Sequence, residues 1–357
     1  MTVKVAHVSP QVGLGVFACR NFQVGEEIFR EEPIAACQHA ANKIGIVACA
    51  HCFRYFPAES QSIGIQNACD PERAINDPTG SRCACGERYC SSACLEAAKS
   101  SHHWALCVAN EADDSPLVNF KLHALNVAGS GDTLILAAQL FASIFQKAQG
   151  DAERLAGMKR ELLTFSHGRY SEIARSGEAD DWTEWLNDTL STSFTFLQRA
   201  LIEKDRRFAS LVSEFELFDR VLGIFERNNV DVATREVNPL RSMTHAKEEI
   251  SRFMTDIWDE EEMGGTFEEG IEVGDFPEFH GTGLYPTISR LNHSCDFTAR
   301  LDFDGRQGFC VATRDIKEGE QIFISYLGKR TMEIPTAERR AMLEDYGFVC
   351  TCSRCQG

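Results

Sequence analysis

The hydrophobic positions change period twice along the chain. The opening stretch, VKVAHVSPQVGLGVFACRNFQVGEEIFREEP, alternates β-type side chains with glycine-bearing turns and predicts two or three short strands. Between 117 and 227 apolar residues recur at i, i+3, i+4 and i+7, as in DTLILAAQLFASIFQKAQ and FASLVSEFELFDRVLGIFERN, which predicts packed amphipathic helices. An acidic stretch, DIWDEEEMGGTFEEGIEVGDFPEF, reads as a solvated surface loop. Strand patterns then return in GLYPTISRLNHSC, ARLDFDGRQGFCVATRDI and EGEQIFISYL, and a helix over TAERRAMLEDY leads into the terminal cysteines. β structure at both ends, with a cysteine module and a helical block between, predicts an α+β chain: one β-rich domain interrupted by insertions.

Composition narrows the compartment and the partners. The 357 residues are 43% hydrophobic and 25% charged, ordinary values for a globular protein. No run of about 18 apolar residues predicts a membrane span, and the start, MTVKVAHVSPQVG, lacks the basic and long apolar regions of a secretory signal. Cytoplasm or nucleus is the expected location. The net charge of -17, from 53 acidic and 36 basic residues, argues against a protein that tracks nucleic-acid phosphates. It suits a basic protein partner. Fifteen cysteines in a reducing compartment read as metal ligands rather than disulfides.

Their spacing supports that reading. Cys49-x2-Cys52, Cys83-x-Cys85, Cys90-x3-Cys94 and His103-x3-Cys107 supply eight soft ligands, enough for two tetrahedral zinc ions. Ser91 or Ser92 is placed to cap a short helix through Leu95 and Ala98. His103 and Cys107 are i, i+4 partners on one helical face, a spacing His102 misses by one residue. Cys69, inside the long insertion after Cys52, competes with Cys83. The tail offers three ligands, Cys350, Cys352 and Cys355, where a closed site needs four. Cys295 is the best candidate for the fourth, since Cys19, Cys37 and Cys310 sit in apolar strand patterns. A hydrolase using Cys295 as nucleophile would need a recognisable Cys/His signature around it, and none is present.

The first cysteine module resembles a MYND finger. That resemblance implies one zinc on Cys49, Cys52, Cys90 and Cys94 and a second on Cys83, Cys85, His103 and Cys107. The chain departs from the pattern in the single residue between Cys83 and Cys85 and in the insertion before them. GTGLYPTISRLNHSC, GEQIFISY and YGFVCTCSRC in turn closely resemble the SET domain and post-SET cysteines of the SMYD family of protein-lysine methyltransferases, specifically the short subgroup without a C-terminal helical repeat domain. The resemblance implies a SET domain in two parts, 1–48 and 228–330, interrupted by the MYND finger at 49–107 and a helical insertion at 108–227, with a post-SET zinc segment at 331–357.

The family further implies S-adenosylmethionine as cofactor and three structural zinc ions. Gly13, Leu14 and Gly15 match its first cofactor loop, and Asn292 and His293 the cofactor-contacting pair of the NHSC motif. Asn228 matches a further contact, with Asn229 beside it as the alternative, and His167 is a candidate in the helical block. The NHSC motif is followed by DFTA where the family usually has Pro-Asn. Phe348 matches the aromatic that packs beside cofactor and lysine channel, Tyr346 is a second channel candidate, and Tyr326 is the catalytic residue. The implied reaction is methylation of a lysine on a basic protein, histone or ribosomal, and a peptide partner for the MYND finger is also implied. A MYND adaptor on a catalytically weak SET scaffold is the alternative reading.

Overall fold

A computed structural model describes residues 2–56, 81–127, 131–174, 182–234, 278–328 and 333–356. Cys69 and almost all of the acidic stretch lie outside them.

The chain opens with β1 (Val3–Ser9), β2 (Gly13–Ala18), β3 (Glu27–Glu31), β4 (Ala35–Gln38) and the short helix α1 (Ala40–Gly45). The cysteine module contributes the hairpin β5 (Ser81–Arg82) and β6 (Arg88–Tyr89), then α2 (Ser92–Ala98), a π-helical turn (Lys99–His103) and α3 (Trp104–Leu106). Ser91 caps α2, its hydroxyl accepting the Cys94 N–H.

Among the described residues six helices follow: α4 (Pro116–Asn126), α5 (Gly131–Ala148), α6 (Ala152–Leu162), α7 (Tyr170–Ile173), α8 (Trp182–Lys204) and α9 (Phe215–Asn228). Serine and aspartate begin two of them: Ser115 caps α4 ahead of Pro116, and Asp151 caps α6. Their shared core gathers Leu134, Leu140, Phe141, Phe145, Phe208, Leu222 and Phe225 around α5. Cys37 and Leu284 belong to the same core, so the helical block is packed onto β4 and its neighbour in the sheet. The helical spacing over 208–228 is carried by a 3-10 turn (Arg206–Ser210) and α9, separated by 211–214. Asp205 starts the turn by accepting the Arg207 N–H, and Gln198 donates to the Val212 carbonyl, holding the link against α8.

The SET-like part resumes with β7 (Val230–Val232), β8 (Gly281–Leu284), a 3-10 turn (Ile288–Arg290), β9 (Asn292–His293), β10 (Ala299–Asp304), β11 (Gln307–Ala312) and β12 (Gln321–Ile324). Helices α10 (Thr336–Leu343) and α11 (Ser353–Gln356) close the described chain. Sheets run β1-β2-β12-β9, β10-β11-β3 and β4-β8-β7. Their core holds Val16, Phe22, Ile28, Tyr285, Ile288, Leu291 and Ile322. GLYPTISRLNHSC does not run as one strand. Pro286 cannot donate to a ladder, and Glu31 accepts the N–H groups of Thr287 and Ile288 at 2.8 and 2.6 Å, which organises the 3-10 turn. That turn delivers Asn292 and His293 to β12, where they pair in parallel with Phe323 and Ile324.

Among the described residues no helix is long and apolar enough to cross a membrane.

Candidate active site and metal centres

Three groups of soft ligands converge, each with its ligand atoms within 4.8 Å of one another: Cys49, Cys52, Cys90 and Cys94; Cys83, Cys85, His103 and Cys107; Cys295, Cys350, Cys352 and Cys355. A tetrahedral zinc with Zn–S of about 2.3 Å places its sulfurs roughly 3.8 Å apart. Cys52 and Cys90 are 3.5 Å apart, as are Cys90 and Cys94, and Cys83 and Cys107. Cys85 Sγ lies 3.6 Å from His103 Nε2. Both the donor types and the spacing therefore fit zinc. Cys49 Sγ also accepts the N–H groups of Cys52 and Cys90 at 3.5 and 3.3 Å, bonds that favour a thiolate.

His103, not His102, joins the second group; His102 Nδ1 instead meets Ser101 Oγ at 3.2 Å. Cys107 lies one residue past the end of α3 in extended conformation, so the i, i+4 pair does not sit wholly on a helix. The π turn contains His103 at its end, and such widened turns recur at functional sites.

The third group ties the tail to the NHSC segment. Cys295 Sγ is 3.6 Å from Cys355 and 3.9 Å from Cys350. Buried Arg339, on α10, donates to Cys355 Sγ at 3.6 Å and to the carbonyls of Ile334 and Arg354 at 2.6 and 3.2 Å. Four thiolates around a divalent ion leave a net charge of two minus, and a buried guanidinium offsets part of it.

Beside this centre is an aromatic cluster around Tyr326, with Tyr346 exposed at its edge. The ring of Tyr326 lies 4.8 Å from Tyr346, 5.4 Å from His293 and 6.3 Å from Phe348. Gly347, with φ of 75°, adopts the left-handed conformation that ends the turn after α10 and lets residues on both sides reach Tyr326. The Tyr326 hydroxyl donates to the Leu291 carbonyl at 2.7 Å. Burial, and then Tyr346, raise its phenol above the ordinary tyrosine value, so it stays protonated. The main-chain N–H of Tyr326 donates to His293 Nδ1 at 3.0 Å, and His293 Nε2 lies 3.3 Å from Cys295 Sγ. Burial, and then Arg339, hold the His293 imidazole down, to about 4.

Next to His293 on β9, Asn292 Nδ2 donates to the Leu14 carbonyl at 2.9 Å. A Cβ on Gly15 would meet Gln321 Nε2 at 2.6 Å, Val8 Cγ2 at 2.7 Å and Asn292 Nδ2 at 3.0 Å, so any side chain there would displace these groups. Gly13 has a φ of 77°.

Asn228 spends its amide on the carbonyls of Ser166 and Ile224, at 2.6 and 2.7 Å. Among the described residues, Asn229 Oδ1 and Gln321 Nε2 are buried without hydrogen-bond partners. They are an acceptor and a donor among several such buried atoms, and a polar ligand could meet either. His167 donates through Nδ1 to the Phe165 carbonyl at 2.8 Å. Its loop is fastened to the NHSC segment by Arg290, which stacks 3.9 Å over the Phe165 ring and donates to Thr164 Oγ1 at 2.8 Å.

A SET-domain profile matches residues 13–327. The chain belongs to the SET-domain family. The histone-lysine N-methyltransferase ATXR2 of Arabidopsis thaliana is 25% identical over 437 residues, covering 96% of this chain and 88% of that one. The human protein-lysine N-trimethyltransferase SMYD5 is 26% identical over 381 residues, covering 99% and 86%. Human histone-lysine N-methyltransferase SMYD3 is 48% identical over 77 residues, 21% of this chain and 17% of that one. A solved structure of the SET domain of LSMT, described as bound to lysine and AdoHcy, aligns over 98% of this chain and 53% of that chain at 13% identity, with a TM-score of only 0.37.

In this SET domain Asn292 meets Leu14 and Gly15 of the Gly13–Gly15 segment, while His293, Tyr326, Tyr346 and Phe348 gather as a cluster of rings. The sequence reading singled out neither Arg339 nor Gln321. A buried arginine on an otherwise polar helix carries no spacing signal, and Gln321 is marked only by its place opposite β2. Cys37 and Cys310 are buried as expected, whereas Cys19 is half-buried at the bend that follows β2.

Proposed function

We propose that this SET domain transfers a methyl group from S-adenosylmethionine to the side-chain amine of a lysine on a basic protein. The observation that carries the reading is the anchoring of Tyr326 at both its main-chain and phenol ends inside the aromatic cluster. Three relatives named as protein-lysine or histone-lysine methyltransferases, two of them alike along nearly the whole chain, support it.

Residues Gly13 to Gly15, Asn292, and the open polar atoms of Asn229 and Gln321 would hold the cofactor, with Phe348 packed beside it. When bound, it supplies an electrophilic methyl group on a sulfonium. A lysine amine has a solution pKa of about 10.4 and must shed a proton before its lone pair can form the new N–C bond. Packing the lysine stem among Tyr326, Tyr346 and Phe348 desolvates the amine and favours the neutral form. The proton of the Tyr326 hydroxyl is committed to Leu291, so its oxygen lone pairs face the amine as acceptors and fix its direction. A phenol kept protonated by burial orients the amine without taking its proton.

Zinc on the three cysteine groups is structural: each set has four ligands, which closes the coordination sphere. The net charge of -17 favours encounter with a basic substrate, a histone or ribosomal protein, in the cytoplasm or nucleus. The MYND-like finger at 49–107 would present a separate surface to a peptide partner. A filter assay with methyl-labelled S-adenosylmethionine and mixed basic proteins tests the proposal. Label retained on protein supports it; no incorporation by the zinc-replete protein favours an adaptor role instead.

A further inference from the structure

The NHSC resemblance makes His293 a cofactor-contacting residue, and both its ring nitrogens are already hydrogen-bonded within the protein. A main-chain N–H can only donate, so Nδ1, 3.0 Å from the Tyr326 nitrogen, is the acceptor. That assigns the ring proton to Nε2, which donates to Cys295 Sγ at 3.3 Å. Cys295 belongs to the third metal group, and Tyr326 is the residue that orients the amine. The imidazole itself is buried, with Tyr326 and Phe348 rings 5.4 and 5.9 Å away.

We infer that His293 is a positioning residue that couples the third metal centre to Tyr326. A zinc-held thiolate is a far better acceptor for Nε2–H than a free thiol, whose sulfur accepts weakly. With the metal in place, the chain Cys295–His293–Tyr326 is polarised in one direction and the imidazole is locked in a single tautomer and orientation. The phenol end of the same tyrosine is held by Leu291, two residues before His293. A three-residue segment therefore sets both ends of Tyr326, and the metal sets the orientation of that segment's histidine. Losing zinc leaves only a weakly accepting thiol and loosens the main-chain end of Tyr326. The post-SET metal then acts on catalysis through a bond network as well as by folding the tail.

The catalytic half of this inference rests on the proposed transferase reading; the structural half does not, and the test separates them. In His293→Phe, which keeps an aromatic ring, release of the third zinc to a competing chelator should quicken about tenfold, the scale for losing a partner of a metal ligand. The kcat should fall by a similar factor, with the AdoHcy dissociation constant within twofold of wild type. Weaker AdoHcy binding with unchanged zinc release would make the ring a cofactor contact and overturn the inference; so would unchanged zinc release together with unchanged kcat.

The wild-type protein answers the same question if that variant does not fold. Stripping the third zinc should accelerate amide exchange at Tyr326 about tenfold while Ile322, paired with β2, stays protected. Exchange at Tyr326 indifferent to that zinc would refute the coupling. Zinc release and amide exchange need no methyl transfer, so they remain decisive in a protein that proves inactive.

Discussion

Replacing Tyr326 with phenylalanine removes one oxygen and little else. The ring contacts to Tyr346, His293 and Phe348 at 4.8, 5.4 and 6.3 Å persist, and the main-chain bond to His293 is untouched. The hydroxyl's bond to the Leu291 carbonyl is lost, which leaves a buried acceptor unpaired and costs about 1–3 kcal/mol of stability. Deleting a preorganised polar contact in a dry site typically removes about 2.7–4 kcal/mol of transition-state stabilisation, a 10²–10³-fold loss in turnover. The amine alone should feel that loss. AdoHcy binding by calorimetry should stay within a few-fold of wild type, while single-turnover transfer of labelled methyl to basic proteins falls by about the 10²–10³-fold stated above. Denaturant unfolding run in parallel separates the two costs. Wild-type turnover in a folded Tyr326→Phe protein would refute the role given to the hydroxyl.

Other perturbations follow from the same geometry. Cys295→Ser should lower the zinc content by one equivalent in metal analysis, because among the described residues Cys295 supplies the only ligand to the third group from outside the tail; unchanged zinc would dissolve that site. Gly15→Ala should weaken AdoHcy binding about tenfold or more, since the new Cβ would press on Gln321 Nε2 at 2.6 Å and Asn292 Nδ2 at 3.0 Å, and overpacking of this kind costs about 1–3 kcal/mol. Binding equal to wild type would remove these residues from the cofactor surface. His39 donates to Asp132 at 2.7 Å, joining the segment before α1 to the first turn of α5, and that bond raises the histidine above its ordinary 6.5. The raised pKa gives stability that is complete below 6.5 and lost as pH climbs past the folded value. Wild type should therefore exceed His39→Gln most below pH 6.5, by less than about 1 kcal/mol because the pair is partly exposed, and the gap should narrow as pH rises through the folded value. A gap that widens with pH would reverse the sign of the argument.

The parts of the site legible in the sequence are those whose chemistry forces a spacing. Zinc needs four soft ligands at short range, so the cysteine pairs disclosed three centres, and the three-ligand tail directed attention to Cys295. Helical periodicity disclosed α5 because one face of it must be apolar to pack. It did not disclose the interruption at 211–214, which depends on Gln198 reaching the Val212 carbonyl from another helix. Nor could it show that Cys107 leaves the helix while still meeting His103.

The role of His293 was the least legible of all. A motif says that histidine follows asparagine, but what the ring bonds is decided by the parallel pairing of β9 with β12, which brings the Tyr326 N–H to it. Asn228 and Asn229 are likewise indistinguishable by neighbourhood in the chain. The fold spends the first on Ser166 and Ile224 and leaves the second with an open acceptor.

The most direct test of the central claim is mass spectrometry of a basic-protein extract incubated with the zinc-replete protein and S-adenosylmethionine carrying an isotope-labelled methyl group. Labelled methyl on lysine Nζ, present with wild type and absent with Tyr326→Phe, is the predicted result. No labelled lysine, or label appearing equally with both proteins, would contradict it.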